Sequence, residues 1–204
     1  MDPVALDILK VALAEFANFG LAGARVDAIV ARTQTSKRMV YYHFGSKEGL
    51  YKAVLDYAYR AVREPGPFEI PAGTPPLEAI GRLAGQAFDS FCAQPDFVRL
   101  TLQENLQGAP YLRASPEIVQ LNRAGLVRLE QTMQTGQVDG TIHQDLRAMD
   151  VYINFVGLCS YHISARNSYQ AVFGVDLAEP AQAQARRAAI VDTLIRYVRA
   201  DPHP

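Results

Sequence analysis

The chain of 204 residues is 49% hydrophobic and 20% charged, and its 20 Lys and Arg against 21 Asp and Glu give a formal net charge of −1. This composition excludes an intrinsically disordered chain, and the length suffices for one large core or for a small module beside a larger one. Proteins that bind nucleic acid usually carry an excess of positive charge. The net charge therefore argues against nucleic acid unless the charge is unevenly distributed along the chain.

The cysteines and the apolar stretches indicate the compartment. Cys92 and Cys159 provide neither a disulfide framework nor a Cys-x-x-Cys pair, and both are expected to be buried core thiols. The N-terminus has no basic stretch before an apolar run, so no signal peptide is expected. The longest uncharged apolar stretch, residues 151–165, is shorter than the ~20 residues of a membrane-spanning helix. A cytoplasmic protein without membrane association is predicted.

Helix signals dominate the first third of the chain. Asp2 followed by Pro3 is typical of a helix start, and apolar residues then recur at helical spacing up to Gly20. Three further helices are predicted from their capping residues and apolar faces: 26–33, 36–44 and 46–63.

Prolines and glycines are concentrated between residues 65 and 76, where five prolines exclude a helix and predict a linker or a long loop. Five helices are predicted after it: 75–94, 95–107, 116–136, 148–168 and 180–200. Gly81 and Gly85 lie four residues apart and are expected in helix packing. No segment shows the strict alternation of a half-buried strand, so the fold class predicted is all-α, with about nine helices.

The charge is unevenly distributed. Between residues 25 and 52 there are six basic and two acidic residues, a net charge of +4, which leaves −5 on the rest of the chain. A basic segment of this size is by itself also typical of ordinary solvated helix surfaces. Its meaning therefore depends on the pattern of the residues within it.

Residues 26–44 have the pattern of a helix-turn-helix: a short helix, a tight turn at Gln34-Thr35 and a second helix begun by Ser36. The N-terminal residues of such a second helix contact base edges in the major groove. Arg38 can bind guanine O6 and N7 through two hydrogen bonds, and hydroxyl, amide and ammonium groups suit phosphate oxygens. The predicted DNA-binding residues are Arg25, Gln34, Thr35, Ser36, Lys37, Arg38, Tyr41, Tyr42, His43 and Lys47.

The run YYHFGSKE at residues 41–48 is a specific signature. With Ile8-Leu9, Ala12, Phe16, Gly20, Ile29 and Ser36-Lys37, it resembles the tetracycline-repressor (TetR) family of bacterial regulators over about residues 5–55. The resemblance implies an all-helical homodimer with a three-helix helix-turn-helix head, expected at residues 1–48. A larger helical bundle, residues 49–204, is expected to hold a small-molecule pocket and to dimerise through its last two long helices. No metal or cofactor is expected.

Two positions depart from the family pattern. The usual glycine of the turn is replaced by Gln34, which adopts a left-handed backbone less easily, and this predicts a looser turn or a phosphate contact by Gln34. The usual hydroxyl before the first helix of the motif is replaced by Ala24-Arg25. This forfeits a cap of roughly 1 kcal/mol but makes Arg25 available to phosphate. Packing within the head is the alternative for Tyr41 and His43, and plain surface charge is the alternative for Arg38.

The last two long helices are expected to form the dimer interface. The segment 148–168 is apolar nearly all round, so it is expected to be buried on more than one side. The final helix, 180–200, has alanines that permit close approach of a partner. Two heads separated by about one helical turn of DNA would read a near-palindromic operator on double-stranded DNA.

Polar residues within apolar stretches are candidates to orient a small-molecule effector, although buried polar groups are usually satisfied within the protein. The predicted ligand-binding residues are Phe88, Phe91, Gln103, Asn105, Tyr111, Asn122, Asn154, Tyr161, His162, Arg166 and Asn167. For Arg166 and Asn167 a dimer contact is the alternative. Residues 104–108, 164–168 and 173–174 are similar to a subgroup of the family tied to degradation of aromatic or heterocyclic compounds. For an anionic aromatic effector, Arg166 or Arg123 is expected to bind the carboxylate.

The function predicted is a homodimeric repressor that a small-molecule ligand releases from its operator, with movement of the helix 46–63 separating the heads. A transcriptional activator or a ligand-independent regulator of the same family is the alternative. An enzyme is not expected, because the sequence has no His-x-x-x-His pair, no Gly-rich phosphate loop and no nucleophile in a recognised elbow.

Overall fold

The computed structural model describes residues 1–63 and 70–200. Eleven helices make up this part of the chain: α1 Pro3–Gly23, α2 Val26–Val30, α3 Lys37–Phe44, α4 Lys47–Arg63, α5 Pro76–Ala93, α6 Pro95–Leu106, α7 Pro110–Arg113, α8 Pro116–Val138, α9 Ala148–Ser164, α10 Arg166–Phe173 and α11 Pro180–Val198. The described residues contain no strand, only an isolated bridge between Ile142 and Arg199. The all-α prediction is confirmed. None of the described helices is both long and apolar enough to cross a bilayer.

The predicted linker lies only partly within the described residues. Its residues 65–69, with Pro65, Gly66 and Pro67, lie outside the described residues, and residues 70–75 form no helix. The chain divides into two compact units. The first unit comprises Met1–Glu64 and Gln94–Leu121, and the second unit comprises Pro65–Ala93 and Asn122–Pro204.

In the first unit, α1 packs against α4 and α6. The Asp2 carboxylate caps α1 by accepting a hydrogen bond of 2.9 Å from the Val4 N–H, as its Asp-Pro start predicts. Gly20, with φ of 64°, kinks α1 but does not end it, so the helix continues to Gly23. A Cβ at residue 20 would lie 3.1 Å from Oε1 of Gln103 on α6. Glycine therefore serves both the left-handed backbone and the close approach of α6.

The core of the first unit lies along one face of α4. Leu50, Val54 and Leu55 are at most 1% exposed, and each fully buried aliphatic side chain of this kind stabilises the fold by about 1.5–3 kcal/mol. The Tyr51 ring meets the Phe16 ring of α1 edge-on, with centroids 5.0 Å apart. These contacts hold α4 firmly against α1.

In the second unit, α5 packs against α11 and α9. Gly81 and Gly85 let α11 approach α5: a Cβ would lie 3.1 Å from Ile195 Cδ1 at the first position and 2.5 Å from Arg187 Nη2 at the second. Their predicted role in helix packing is confirmed. Arg187 in turn donates from Nε to both carboxylate oxygens of Asp89, at 2.8 and 3.0 Å.

A second cluster of the second unit surrounds the isolated bridge. Its buried members share one apolar core: Ile80, Leu129, Met133, Ile142, Val151 and Val198. The His143 N–H donates to the Val198 carbonyl at 2.9 Å, and the Ala200 N–H donates to the Thr141 carbonyl at 3.0 Å. These bonds fix the end of α11 beside the segment that follows α8.

The structure corrects the predicted helix 148–168. This segment is two helices, since α9 ends at Ser164 and α10 begins at Arg166. Within the single chain α9 is covered on one side only, since Met149 and Ile153 are 47% and 59% exposed, and the expected burial of a second side by a partner subunit stays a prediction. One face of α9 packs on its own unit, and the opposite apolar face is uncovered within the described chain. The helix α7 was not predicted, because its start depends on a left-handed backbone at Ala109, with φ of 54°.

Candidate functional site

The capping residue of α3 and its one buried side chain determine which of its other side chains face outward. Ser36 caps the helix, its hydroxyl oxygen accepting a hydrogen bond of 3.3 Å from the Met39 N–H. Val40 is fully buried, and Gly45, with φ of 73°, ends the helix. The predicted DNA-binding residues that this arrangement leaves exposed are Lys37, Arg38, Tyr41 and Tyr42, with Gln34 and Arg25 exposed beside them. Tyr41 is 41% exposed, so it does not pack in the core.

The turn before α3 needs no left-handed residue. Backbone bonds from Arg32 N–H to the Ile29 carbonyl and from Thr33 N–H to the Val30 carbonyl, at 3.1 and 3.2 Å, extend α2 as a tighter helical turn. Among the described residues, Ala109 is the only non-glycine residue with a positive φ. Gln34 therefore substitutes for glycine without backbone strain.

The start of α2 has an unexpected cap. Arg25, its N-cap residue, makes no side-chain capping bond, as the sequence predicts. Its backbone N–H instead donates at 3.1 Å to the Glu15 carboxylate of α1, and Glu15 is only 5% exposed. No sequence pattern predicts this partner, because a glutamate ten residues away lies outside every local capping pattern.

Several predicted DNA contacts are engaged inside the first unit. Lys37 pairs with Asp27 at 3.0 Å, and this hydrogen bond raises the pKa of the lysine. Lys47 donates to the Ala22 carbonyl at 3.2 Å. The half-buried His43 lies 3.5 Å from the Asp2 carboxylate. Thr35 is half-buried as well.

A buried carboxylate organises the corner between α6 and α7. Glu104, 1% exposed, accepts hydrogen bonds from the Tyr51 hydroxyl at 2.9 Å and from the backbone N–H groups of Tyr111 and Leu112 at 2.7 and 3.2 Å. Burial, and then the bond to Glu104, raise the pKa of Tyr51. Glu104 was not among the predicted site residues, since only the fold shows that it is buried.

Two further polar bridges join α4 to the start of α8 within the first unit. Ser115 donates to Asp56 at 2.7 Å, and Arg60 forms a two-bond ion pair with Glu117. This pairing lowers the pKa of Glu117. The bridges recur at one-turn spacing along one side of α4.

A cleft of about 230 Å³ lies among these bridges and is lined by Lys52, Leu55, Asp56, Tyr111, Ala114, Ser115, Pro116, Glu117 and Ile118. Tyr111 is the one member of the predicted ligand set that lines it. Its ring lies 5.2 Å from the Tyr51 ring and 5.6 Å from the Lys52 ammonium. Of the other predicted ligand residues of this unit, Gln103 is half-buried beside Gly20 and Asn105 is exposed.

The second unit brings together three of the predicted ligand residues, Phe88, His162 and Arg166, and buries a fourth, Phe91, on α5. Phe88 and Phe91 lie on α5, and the Phe88 ring is 4.9 Å from the ring of His162 on α9. Arg166 begins α10, one helical turn after His162. Burial, and then the positive charges of Arg166 and Arg186, lower the pKa of His162.

The remaining predicted ligand residues are not gathered at this place. Asn154, Tyr161 and Asn167 are exposed, and Asn122 is half-buried on α8. The predicted ligand set is therefore divided between two units and the surface. Which of these residues contacts an effector stays a prediction.

The helical fold and the exposed start of α3 define a helix-turn-helix protein. Residues 8–54 match the model of the bacterial regulatory proteins of the tetR family, and residues 76–194 match that of the tetracyclin repressor-like C-terminal domain. The chain belongs to the TetR family, and it is a transcriptional regulator.

Similar proteins agree with this assignment. The transcriptional repressor NicS of Pseudomonas putida is 28% identical over 173 residues, which cover 85% of this chain and 82% of that protein. The repressor SCO4008 of Streptomyces coelicolor is 27% identical over 158 residues and 76% of each chain. A solved structure of the regulator SCO4942 of Streptomyces coelicolor superposes with a TM-score of 0.70 at 28% identity, covering 98% of this chain and 99% of that one. The family and these relatives are DNA-binding regulators and not enzymes, in agreement with the prediction.

Proposed function

We propose that the chain is a homodimeric repressor that binds a near-palindromic operator through α3 and leaves it when a small-molecule effector binds in the second unit. The observation that carries the DNA-binding role is the first turn of α3. Ser36 caps it, Val40 anchors it in the core, and Lys37 and Arg38 face outward. Repression is favoured over activation because NicS and SCO4008 are named as repressors.

The exposed side chains of the head suit the two parts of DNA differently. Arg38 can reach a guanine edge through two hydrogen bonds. Tyr41, Tyr42, Gln34 and Arg25 suit phosphate oxygens, which fix the position of the head on the duplex. A bacterial operator as the target implies that the protein acts in the cytoplasm.

Two uncovered helix faces of the second unit support the dimer. On α9, Met149, Ile153, Gly157 and Tyr161 recur every four residues and are all exposed. On α11, the exposed residues at the same spacing are small or aromatic: Ala181, Ala185, Ala189, Thr193 and Tyr197. Apolar faces of this kind on packed helices are typical of interfaces. We infer that they pair with the same faces of a second copy, as a two-fold axis requires.

An effector changes DNA binding only if it favours one arrangement of the two heads over another. We propose that the effector binds among the polar groups buried in the second unit and favours an arrangement that does not match two successive major grooves. Ligand and DNA then weaken each other's binding by the same factor.

The test is binding to the DNA upstream of the protein's own gene, followed by fluorescence anisotropy at several salt concentrations. We expect affinity to fall steeply with salt, since phosphate contacts dominate it. Arg38→Ala should weaken binding by about 1–3 kcal/mol. Arg82→Ala is the control, because Arg82 is an exposed arginine of α5 that pairs with Glu78, and it should change little.

A reporter gene placed behind the same DNA separates repression from activation. Repression predicts lower expression when the protein is present, and higher expression would contradict it. Binding that is insensitive to salt, or an Arg38→Ala variant that binds as the wild type does, would contradict the role of α3.

A further inference from the structure

The strongest unexplained feature outside the DNA-binding helix is a buried polar group in the second unit. His162 is 2% exposed, and its ring lies against Phe88 with centroids 4.9 Å apart. Neither ring nitrogen has a hydrogen-bond partner among the residues that the structure describes. The backbone of Leu177 lies near the ring and favours its charged form, but it makes no hydrogen bond to either ring nitrogen. Leaving both nitrogens of a buried imidazole unpaired is costly.

Arg166, beside His162, also has a buried nitrogen without a hydrogen-bond partner in the described part of the chain. It follows the break between α9 and α10, so its side chain begins one turn beyond the imidazole. Its guanidinium lies near the Cys92 thiol, yet its Nε is buried and has no partner in the described part of the chain. Two neighbouring side chains thus present unused donors in one buried place.

The charged side chains that act on His162 are both cationic. Arg166 on α10 and Arg186 on α11 both disfavour its protonation, and burial does so more strongly. The nearby acid on α5, Asp89, is bound by Arg187 at 2.8 and 3.0 Å. The cluster therefore holds cationic donors and a neutral imidazole, and an anion would complete it.

We propose that His162 and Arg166 form an oxyanion site that binds the carboxylate of a small organic acid. Arg166 donates from Nε to the carboxylate, and His162 donates from one ring nitrogen. This inference rests on the proposed function, since it names the chemical class of the effector and the groups that recognise it.

The surroundings favour an acid with one carboxylate and an apolar body. The Phe88 side chain, 2% exposed and with its ring 4.9 Å from that of His162, offers contact to a ring or a hydrocarbon. Arg123, the other arginine considered from the sequence, is exposed on α8 and is not part of the cluster.

The test uses benzoate as the probe and the neutral benzamide as its isosteric control, each titrated by calorimetry into the full-length protein without DNA. We expect benzoate to bind and benzamide to bind at least tenfold more weakly. Arg166→Gln should weaken benzoate binding at least tenfold. Arg123→Gln is the matched control, an arginine-to-glutamine change on the surface of the same unit, and should leave it unchanged.

Nuclear magnetic resonance locates the bound probe in the wild-type protein, so the test does not depend on the folding of Arg166→Gln. The chain has four histidines, and His162→Gln identifies the ¹⁵N imidazole signals of His162. Benzoate should shift these signals and leave those of His43 and His143 in place. The proposal is overturned if benzoate does not bind, if benzamide binds equally well, or if the signals of His162 do not move.

Release of operator DNA by benzoate is measured separately by anisotropy. Binding at His162 without release of DNA would contradict ligand-controlled repression and leave the oxyanion site intact. Absence of benzoate binding, with salt-sensitive operator binding preserved, would overturn the site and leave the DNA-binding role intact.

Discussion

The Tyr51 hydroxyl of α4 donates a 2.9 Å hydrogen bond to the buried carboxylate of Glu104 on α6. The same carboxylate accepts from the backbone of Tyr111 and Leu112, so one side chain joins the long helix behind the DNA-binding motif to the corner that starts α7. Any movement of α4 must either carry this corner with it or break the bond.

This network predicts a graded loss of stability. Tyr51→Phe removes one hydrogen bond and should lower the free energy of unfolding by about 0.5–1.5 kcal/mol. Glu104→Ala removes the partner of three donors and leaves the Tyr51 hydroxyl unpaired, so it should cost more than about 2 kcal/mol. Urea denaturation measures both, and equal losses for the two variants would contradict the central role of Glu104.

The two glycines of α8 should respond oppositely to alanine. A Cβ at Gly136 would lie 2.5 Å from Ile142 Cδ1 and 2.9 Å from Pro76 Cβ, whereas at Gly125 nothing lies within 4 Å. Gly136→Ala should therefore destabilise the protein by about 1–3 kcal/mol. Gly125→Ala should stabilise it by up to about 1 kcal/mol, because alanine favours a helix. Thermal unfolding compares the two, and a stabilised Gly136→Ala would be inconsistent with the packing described.

Asp27 should weaken DNA binding. Its carboxylate pairs with Lys37 at the start of α3, and it competes with phosphate for that ammonium group. Asp27→Asn should raise operator affinity and steepen its salt dependence by about one phosphate contact. Asp150→Asn breaks a similar ion pair with Arg147 on α9 and serves as the control. Unchanged affinity for Asp27→Asn would show that Lys37 does not contact DNA.

The burial of His162 predicts a dependence of stability on pH. Burial and the charges of Arg166 and Arg186 lower its pKa below the ordinary value of 6.5. Below about pH 6.5 the unfolded chain therefore binds a proton that the folded protein resists, and stability falls with a slope of at most ~1.4 kcal/mol per pH unit. Above that pH the two states bind equal numbers of protons at this group.

Urea denaturation at pH 8 and pH 5.5 measures this difference. The wild type should lose more stability than His162→Gln over this range, because the variant has no imidazole to protonate. The neighbouring titratable groups Asp89, Cys92 and Cys159 are the same in both proteins. Parallel losses in the two proteins would show that His162 takes up its proton equally well folded and unfolded.

The uncovered face of α9 gives the prediction for assembly. Ile153→Asp places a charge in the middle of this face and should convert a dimer to a monomer in sedimentation velocity experiments. Val138→Asp changes an equally apolar side chain that is 84% exposed at the end of α8, and it should leave the dimer intact. A wild-type monomer, or a dimer that tolerates Ile153→Asp, would contradict this interface.

The parts of the fold that the sequence predicts are those with local causes. The Ser36 cap, the Asp2-Pro3 start and the apolar spacing of α4 depend on residues a few positions apart, and the structure has them all. The break between α9 and α10 at Ala165 could not be predicted, because no proline or glycine lies there. The start of α7 could not be predicted either, because it depends on a left-handed backbone at Ala109, which alanine rarely adopts.

The candidate site also has features that follow from neighbouring residues and features that depend on the packed fold. The exposed residues at the start of α3 follow from a motif written in consecutive positions. Glu104 and Glu15 were not predicted, because the Tyr51 hydroxyl and the Arg25 amide lie 53 and 10 residues from them along the chain. Only the packed fold shows that both carboxylates are buried. The predicted ligand set was too broad for the same reason, since helical spacing does not tell a buried asparagine from an exposed one such as Asn154.

The cap that Glu15 gives to α2 limits how this DNA-reading element can be transplanted. A chimera that takes only residues 26–44 would leave behind the carboxylate that holds the Arg25 amide and the Asp2 carboxylate beside His43. The smallest segment that includes both carboxylates begins at Asp2, the capping residue of α1. An exchange of operator preference between regulators should therefore move α1, α2 and α3 together.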